Sequence, residues 1–382
     1  MRNFFSTVLN TSLVLMASPN TKGMAVAEAV PGKVTSHGLT PSRMTQKGPY
    51  HTSFVAAVER NQIPISQFLL ACLYMLHIFY PKLLPFTTKF IHLQYKIGTG
   101  SDGAPLYDIG IDDAYYVAHW VITLTFLRAF LMQWVFGPLA SMSNKIKTQG
   151  ARTRFCEQSW LVTYYMFSFA YGIYLYVHSP YYMNIDHLYL HWPNHNMTAG
   201  FKKYYLISMG FWFQQVFVLH IEKRRKDHYQ MLSHHIITCC LMVGSYNYYY
   251  FRIGHIILMI MDSVDILFSA AKILRYLGYS KLCDFMFFCF LMSWIILRHG
   301  LYNYLYYHAW TKASLLMPDA KCIPGVLQRR CWTNGVINTF LGLLGGLQII
   351  TIVWMYLIAK VAYRVVTGQG AEDVRSDESD EE

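Results

Sequence analysis

Four side chains of the kind that move protons lie in two consecutive apolar stretches of this chain. His234 and His235 lie in the first stretch, and Asp262 and Asp265 lie in the second. Ionisable groups are costly inside apolar helices, so each of them is a candidate for a functional site. An imidazole exchanges protons near neutral pH, and a nearby carboxylate can orient it. The residue types therefore indicate acid–base chemistry within reach of lipid.

The spacing of the two aspartates places both carboxylates on one face of a helix, and Ser269 and Lys272 extend that face. Neighbouring histidines point about 100° apart on a helix, so only one imidazole can aim squarely at the carboxylates. One histidine and one aspartate alone would favour a structural hydrogen bond between helices over catalysis. Four such groups in consecutive stretches favour catalysis.

Metal and serine-hydrolase chemistries fit the pattern poorly. Di-iron membrane enzymes need several close histidine clusters, whereas the sixteen histidines here include one His-His pair. His187, His191 and His195 recur every four residues, but Trp192-Pro193 breaks any helix there. The chain has no G-x-S-x-G elbow for a nucleophilic serine. We therefore predict neither a metal site nor a cofactor.

Composition places these groups in a membrane. Hydrophobic residues make up 54% of the 382 residues and charged residues only 14%. The net charge of +11 comes from short Lys/Arg groups at the ends of apolar stretches, so no basic face for nucleic acid is expected. The eight cysteines form no C-x-x-C pair.

Eight stretches have the length and apolar character of spanning helices, which need about 20 residues. We predict an all-α fold, a polytopic membrane bundle of about eight transmembrane helices. The expected spans are 65–84, 111–139, 158–177, 204–220, 231–250, 253–275, 283–308 and 334–362. The predicted organisation is an N-terminal cytoplasmic segment (1–64), the first helix with a lumenal loop (65–109), a membrane catalytic domain (110–367) and an acidic cytoplasmic tail (368–382).

Orientation follows from the basic loops 144–154 and 223–226, because short cytoplasmic loops retain Lys and Arg. Both termini are then cytoplasmic, and the loop after the third span is lumenal. That loop carries the sequon Asn196-Met197-Thr198, which is either glycosylated or a chance match.

The loop before the last span argues against this orientation. It must be lumenal, yet it holds the basic residues Lys312, Lys321, Arg329 and Arg330. Cys322 and Cys331 in the same loop would form either a disulfide or two free thiols.

The tail has its own pattern. Ser376 and Ser379 are each followed by acidic residues, which suits an acidophilic kinase. The alternative is a solvated tail without modification.

At this point the sequence resembles the ceramide synthase branch of the TLC-domain family, in its fungal form. The resemblance covers about residues 110–367, and the acidic tail is also similar. The central motif reads HHIIT at 234–238, SY at 245–246, RIG at 252–254, DSVD at 262–265 and AK at 271–272. Flanking family segments read FCEQSW at 155–160, YY at 164–165, FWFQQ at 211–215, EKRRKD at 222–227 and RH at 298–299.

The resemblance implies N-acylation of a sphingoid long-chain base by a fatty acyl-CoA in the endoplasmic-reticulum membrane. It makes His234, His235, Asp262 and Asp265 the residues required for activity, with acyl-CoA as co-substrate. A histidine would act as general base on the amine or accept the acyl group as a nucleophile. The aspartates would position the imidazole and bind the head group. The family pattern leaves open a homo- or heterodimer and a small regulatory subunit.

Further residues are expected to bind substrate. They are Arg252, Ser269 and Lys272, with Lys223, Arg224 and Arg225 for the CoA phosphates. Alternatively, Lys223, Arg224 and Arg225 serve only to determine the membrane topology.

Two positions depart from the family pattern, where Tyr249 replaces a small polar residue or histidine and His255 replaces a common asparagine. They suggest a diverged paralogue. The competing functions are a non-catalytic lipid sensor of the same family and a transporter, which would show inverted repeats.

Overall fold

The structure, a computed structural model, describes residues 57–58, 60–100, 103–221, 227–328 and 330–367. Helices dominate this part of the chain. They are α1 (Gln62–Phe79), α2 (Leu84–Ile91), α3 (Asp113–Leu131), α4 (Gly137–Met142), α5 (Gln149–Val177), α6 (Ala199–Ile221), α7 (His228–Asn247), α8 (Phe251–Tyr276), α9 (Ser280–Ser293), α10 (Tyr302–Leu316) and α11 (Asn334–Val366). Two π-helical segments, Met132–Phe136 and Trp294–Leu301, join α3 to α4 and α9 to α10. Short 3-10 turns lie at Pro81–Leu83, Ile185–Leu188 and Pro318–Ala320.

Four helical stretches in the described part are long and apolar enough to cross a membrane, so the chain is a multi-pass membrane protein. They are Gln62–Phe79, Asp113–Met142, Ser280–Leu316 and Asn334–Arg364. A helix also lies at each of the other four predicted spans, as α5 to α8. These four helices carry more polar side chains, and none of them contains an equally long stretch of comparable hydropathy.

The helices that carry the four proton-moving residues lie at the centre of the packing. α8 packs along α5 on one side and against α9 on another, while α7 packs against α6 and α11. Gly172 allows the close approach of α5 to α8, because a Cβ there would sit 3.0 Å from the Met259 Cγ. Aromatic rings fill the space between α5 and α6, where Tyr164 and Phe211 stack with centroids 3.5 Å apart. The site helices are therefore closely packed against their neighbours.

A small antiparallel sheet at one end of the helices was absent from the all-α prediction. Its strands are β1 (Lys96–Thr99), β2 (Pro105–Tyr107) and β3 (Met197–Thr198), in the order β1-β2-β3. Strands of two to four residues carry no periodic pattern, so counting apolar stretches could not predict them. The sheet joins the two predicted lumenal loops, 85–110 and 178–203, and the Asn196 side chain beside it is exposed.

The loop before α11 reaches the same end of the molecule. Cys322 and Cys331 are joined as a disulfide. The Arg330 guanidinium lies 5.9 Å from the ring centroid of Tyr249, and the Lys321 ammonium lies 5.9 Å from that of Trp332. These contacts give two of the basic groups of the loop a structural role, so their charge does not require a cytoplasmic position.

Candidate active site

His235 lies on α7, is buried, and has a defined tautomer. Its Nδ1 is 2.6 Å from the carbonyl oxygen of Met231, one turn earlier. Because a carbonyl oxygen only accepts, Nδ1 carries the hydrogen and Nε2 of the neutral ring keeps its lone pair. Nε2 has no hydrogen-bond partner among the described residues. This nitrogen is ready to take a proton or attack an acyl carbon.

His234 is also buried, and aromatic rings hold it on two sides. Its ring centroid is 5.5 Å from that of Trp212 on α6 and 5.1 Å from that of Trp354 on α11. Trp212 contacts His235 in the same edge-on way at 5.5 Å. Within the described residues, Nδ1 of His234 has no hydrogen-bond partner. Packing rather than hydrogen bonding therefore fixes this imidazole.

The two aspartates of α8 meet different elements. Asp262 accepts a hydrogen bond from Ser168 of α5 at 2.7 Å, whereas Asp265 accepts from Nη2 of Arg298 at 2.6 Å. Residues three apart on a helix differ by about 60° in direction, which suffices to separate their partners. Neither carboxylate is hydrogen-bonded to an imidazole in the described structure, so the expected direct Asp–His contact is not formed.

Arg298, in the π-helical segment Trp294–Leu301, is the cation of the site. It is 4% exposed, donates a second bond from Nη2 to the carbonyl oxygen of Met261 at 3.3 Å, and places its guanidinium 4.2 Å from the ring centroid of Trp294. In the sequence, Arg298 stands out only as part of a family segment. Because it is 33 residues from Asp265, no local pattern pairs the two residues, although a buried carboxylate needs a partner.

Two cavities meet at these residues. The first, which we call the apolar tunnel, is lined by side chains of α6, α7, α8, α10 and α11, and its lining includes Tyr189 and Tyr250. The polar vestibule is lined by groups such as Arg154, Gln158 and Gln215. Both cavities share four lining residues, and we call this place the junction. Its residues are Trp212, His234, Asp265 and Arg298.

The remaining residues that were expected to bind substrate lie in two different parts of the structure. Ser269 and Lys272 line the polar vestibule together with His235. Arg252 instead donates to the carbonyl oxygen of His187 and to Oδ1 of Asn194, each at 2.8 Å, at the sheet end. It lies in the first turn of α8, about 20 Å from Asp265 along the helix. The substrate-binding interpretation of Arg252 therefore has no support in its position.

Several other predicted positions lie outside the described residues. They are Lys223, Arg224, Arg225, Ser376 and Ser379.

The two departures from the family pattern both have structural contacts. The Tyr249 hydroxyl donates to Asp108 at 2.6 Å, and His195 lies 3.2 Å from the same carboxylate. Burial opposes ionisation of Asp108, but hydrogen bonds from Tyr249, the Ile109 amide and His195 outweigh it and lower its pKa. His255 bonds the Gly172 carbonyl oxygen and the Tyr181 hydroxyl. Neither residue lines the tunnel or the vestibule.

Comparison with known proteins agrees with this arrangement. A TLC domain matches residues 154–360, which include the junction and both histidines. Sphingosine N-acyltransferase lag1 of Schizosaccharomyces pombe is 38% identical over 302 residues, covering 79% of this chain and 75% of that protein. The chain belongs to the TLC-domain family of sphingosine N-acyltransferases, or ceramide synthases.

Two further relatives of this TLC-family chain are also fungal. Sphingosine N-acyltransferase-like protein ALT7 of Alternaria alternata is 37% identical over 298 residues, covering 71% of this chain and 68% of that protein. Ceramide Synthase FUM18 of Gibberella moniliformis is 34% identical over 332 residues, covering 81% and 77%. The similarity extends well beyond the central histidine and aspartate motif.

Proposed function

We propose that this chain is a ceramide synthase, which joins the acyl group of a fatty acyl-CoA to the amine of a sphingoid base such as sphinganine or phytosphingosine. The observation that carries the proposal is the position of His234. Its imidazole lies where an apolar tunnel meets a polar vestibule. A thioester has the same division, with a hydrocarbon chain on one side and a polar, phosphorylated carrier on the other.

The wall chemistry assigns each part of the thioester to a cavity. The acyl chain fits the tunnel, whose wall includes apolar side chains such as Leu341 and Leu344. The CoA fits the vestibule, where Arg154 and Lys272 offer cations to phosphate groups. The thioester carbon then lies at the junction, beside His234.

Two reaction routes suit this geometry. In the first, an imidazole removes a proton from the ammonium of the base, and the free amine attacks the thioester carbon. In the second, an imidazole nitrogen takes the acyl group first and then passes it to the amine. Both routes form one amide bond, break one carbon–sulfur bond and release CoA. His235 supports either route through the lone pair on Nε2.

The proposed placement is the endoplasmic-reticulum membrane, with eight spanning helices and both termini in the cytoplasm. The vestibule end would face the cytoplasm, where acyl-CoA is available, and the sheet end would face the lumen. An exposed Asn196 in a sequon and the Cys322–Cys331 disulfide at the sheet end support this orientation, because glycosylation and disulfides belong to the lumen. A dimer or a small regulatory subunit remains part of the proposal.

Product formation tests the function. Purified protein in lipid nanodiscs is incubated with sphinganine and palmitoyl-CoA, and the lipid product is measured by mass spectrometry beside the released CoA. We expect dihydroceramide and CoA in equal amounts. A folded protein that binds either substrate without forming product, alone or with a co-purified subunit, would indicate a lipid sensor instead.

A further inference from the structure

Arg298 has more hydrogen-bond donors than its protein partners use. One amino group, Nη2, serves both Asp265 at 2.6 Å and the Met261 carbonyl oxygen at 3.3 Å. Nε is buried without a partner in the described structure. Nη1 makes no hydrogen bond to any described residue and is not among the enclosed polar atoms. Nη1 is therefore the donor that remains available to a molecule in the cavities.

The surroundings hold this guanidinium in one orientation. The carboxylate of Asp265 fixes one edge of the plane, and the ring of Trp294 lies 4.2 Å from its central carbon. A planar group fixed at an edge and a face has little rotational freedom, so Nη1 is pre-oriented. Arg298 lines both the tunnel and the vestibule, as His234 does. The free donor therefore lies at the junction, where the proposed function puts the thioester.

We propose that Arg298 is a further catalytic residue, whose Nη1 donates a hydrogen bond to the thioester carbonyl oxygen and stabilises the oxyanion that forms on it. The inference rests on the proposed acyl transfer. Asp265 is then a positioning residue, which holds the guanidinium and keeps its charge compensated when no oxyanion is present. This assigns the second aspartate a role through Arg298 rather than through a histidine.

The electron movement is the same for both reaction routes. When an amine or imidazole nitrogen bonds to the thioester carbon, the carbonyl π electrons move to the oxygen, which becomes an oxyanion. Collapse restores the C=O bond and breaks the carbon–sulfur bond, so that CoA leaves as a thiolate. In the direct route the sulfur takes the proton that the attacking amine loses. In the covalent route Nε2 has no proton to lose, and the sulfur takes the proton that the amine loses when it displaces the imidazole in the second step. Arg298 stays protonated throughout and contributes only hydrogen bonding and charge, an interaction strongest in the transition state.

A purely structural role for Arg298 makes a different prediction. If the guanidinium only neutralised Asp265, its loss would destabilise the fold and would lower kcat/KM for every substrate by the same factor. If it donates to the carbonyl oxygen, its loss should matter less for a substrate whose oxygen is replaced by sulfur, since a thiocarbonyl is a poor hydrogen-bond acceptor.

The experiment compares palmitoyl-CoA with its dithioester analogue, in which C=S replaces C=O, in the wild type, Arg298→Gln and Arg298→Lys. Arg252→Gln is the matched control, because Arg252 is an arginine with partly buried hydrogen bonds to backbone carbonyl oxygens outside both cavities. Binding of an unreactive thioether, S-hexadecyl-CoA, reports whether each variant keeps folded cavities.

We expect kcat of Arg298→Gln to fall about 100-fold or more, as on loss of an oxyanion donor. Thioether binding should stay within about threefold, because the thioether has no carbonyl oxygen to lose contact with. The ratio of kcat/KM for C=O over C=S should fall at least about tenfold in Arg298→Gln, partly in Arg298→Lys, and not in Arg252→Gln.

An Arg298→Gln protein that keeps its kcat, or loses activity with an unchanged C=O to C=S ratio, would overturn the inference. If Arg298→Gln does not fold, Arg298→Lys decides by the same ratio. A wild type that forms no dihydroceramide would overturn the proposed function itself, and the inference with it.

Discussion

At the scale of single residues, the histidines and aspartates of the motif have different positions and different partners. His234 and Asp265 lie at the junction, while Asp262 faces α5 and accepts from Ser168. The two aspartates could be recognised from the sequence, because charged residues in apolar stretches are conspicuous. Their partners could not, since Ser168 and Arg298 are 94 and 33 residues away from them and nothing local pairs them.

The Ser168 hydroxyl gives a direct test of the division. Ser168→Ala leaves the buried Asp262 without that hydrogen bond, so we expect the free energy of unfolding to fall by about 1–3 kcal/mol. We expect the rate of ceramide formation to fall less in Ser168→Ala than in Asp265→Asn, because Asp265 lines the junction and holds Arg298. Thermal unfolding in detergent and product formation measure the two effects.

Ser263→Ala is the matched control for Ser168→Ala. Its hydroxyl donates only to the Ile260 carbonyl oxygen, one turn back on the same helix. This change should cost about 0.5 kcal/mol or less, as is typical away from buried networks. Equal destabilisation by the two substitutions would contradict the assigned role of Ser168.

At the scale of elements, the tunnel has a length that can be compared with an acyl chain. From Arg298 to Ala313 the wall spans fifteen residue steps, or about 22 Å of helix. An extended carbon chain with bonds of about 1.5 Å and angles near 111° advances about 1.25 Å per carbon, so about 18 carbons fit. The tunnel therefore suits long acyl chains rather than chains of 24 or more carbons.

Filling the far end of the tunnel should shorten the preferred acyl chain. We predict that the wild type prefers C16 and C18 acyl-CoA over C24, and that Ala313→Phe moves the optimum down by roughly four carbons, since a phenyl ring occupies about 5 Å. A competition assay with mixed acyl-CoAs measures the distribution. Ala359→Phe, on an exposed position of α11, is the control. An unchanged distribution in Ala313→Phe would show that the acyl chain lies elsewhere.

The helices themselves were largely predictable, and the smaller elements were not. A helix lies at every predicted span, because about 20 apolar residues in lipid have few alternatives to a helix. The π-helical segment that carries Arg298 is about as apolar as the preceding helix α9, so composition could not separate the two. The β2–β3 pairing depends on residues about 90 positions apart and left no local pattern.

At the scale of the whole molecule, the two ends of the helices carry different groups. One end carries the sheet, the disulfide and the exposed Asn196, and the other carries the vestibule with Arg154 and Lys272. The orientation proposed from the basic loops assigns the first end to the lumen. The disulfide loop, whose charges argued against this orientation, lies at the sheet end.

Glycosylation of Asn196 tests the orientation. We expect the protein from eukaryotic membranes to lose the mass of one glycan on endoglycosidase treatment, as seen on a gel. Asn196→Gln and Thr198→Ala should each abolish this shift, because each destroys the sequon. A wild type without glycan whose Cys322 and Cys331 are both reduced in cells would argue for the opposite orientation.

The central claim is that acyl transfer occurs at the junction, beside His234. The decisive measurement is kcat for ceramide formation by His234→Ala compared with His220→Ala. His220 is the control because it is also a histidine on a helix, but its side chain is exposed and lies outside both cavities. We predict a fall of about 100-fold or more for His234→Ala and little change for His220→Ala. A folded His234→Ala protein that keeps the wild-type kcat would contradict the account.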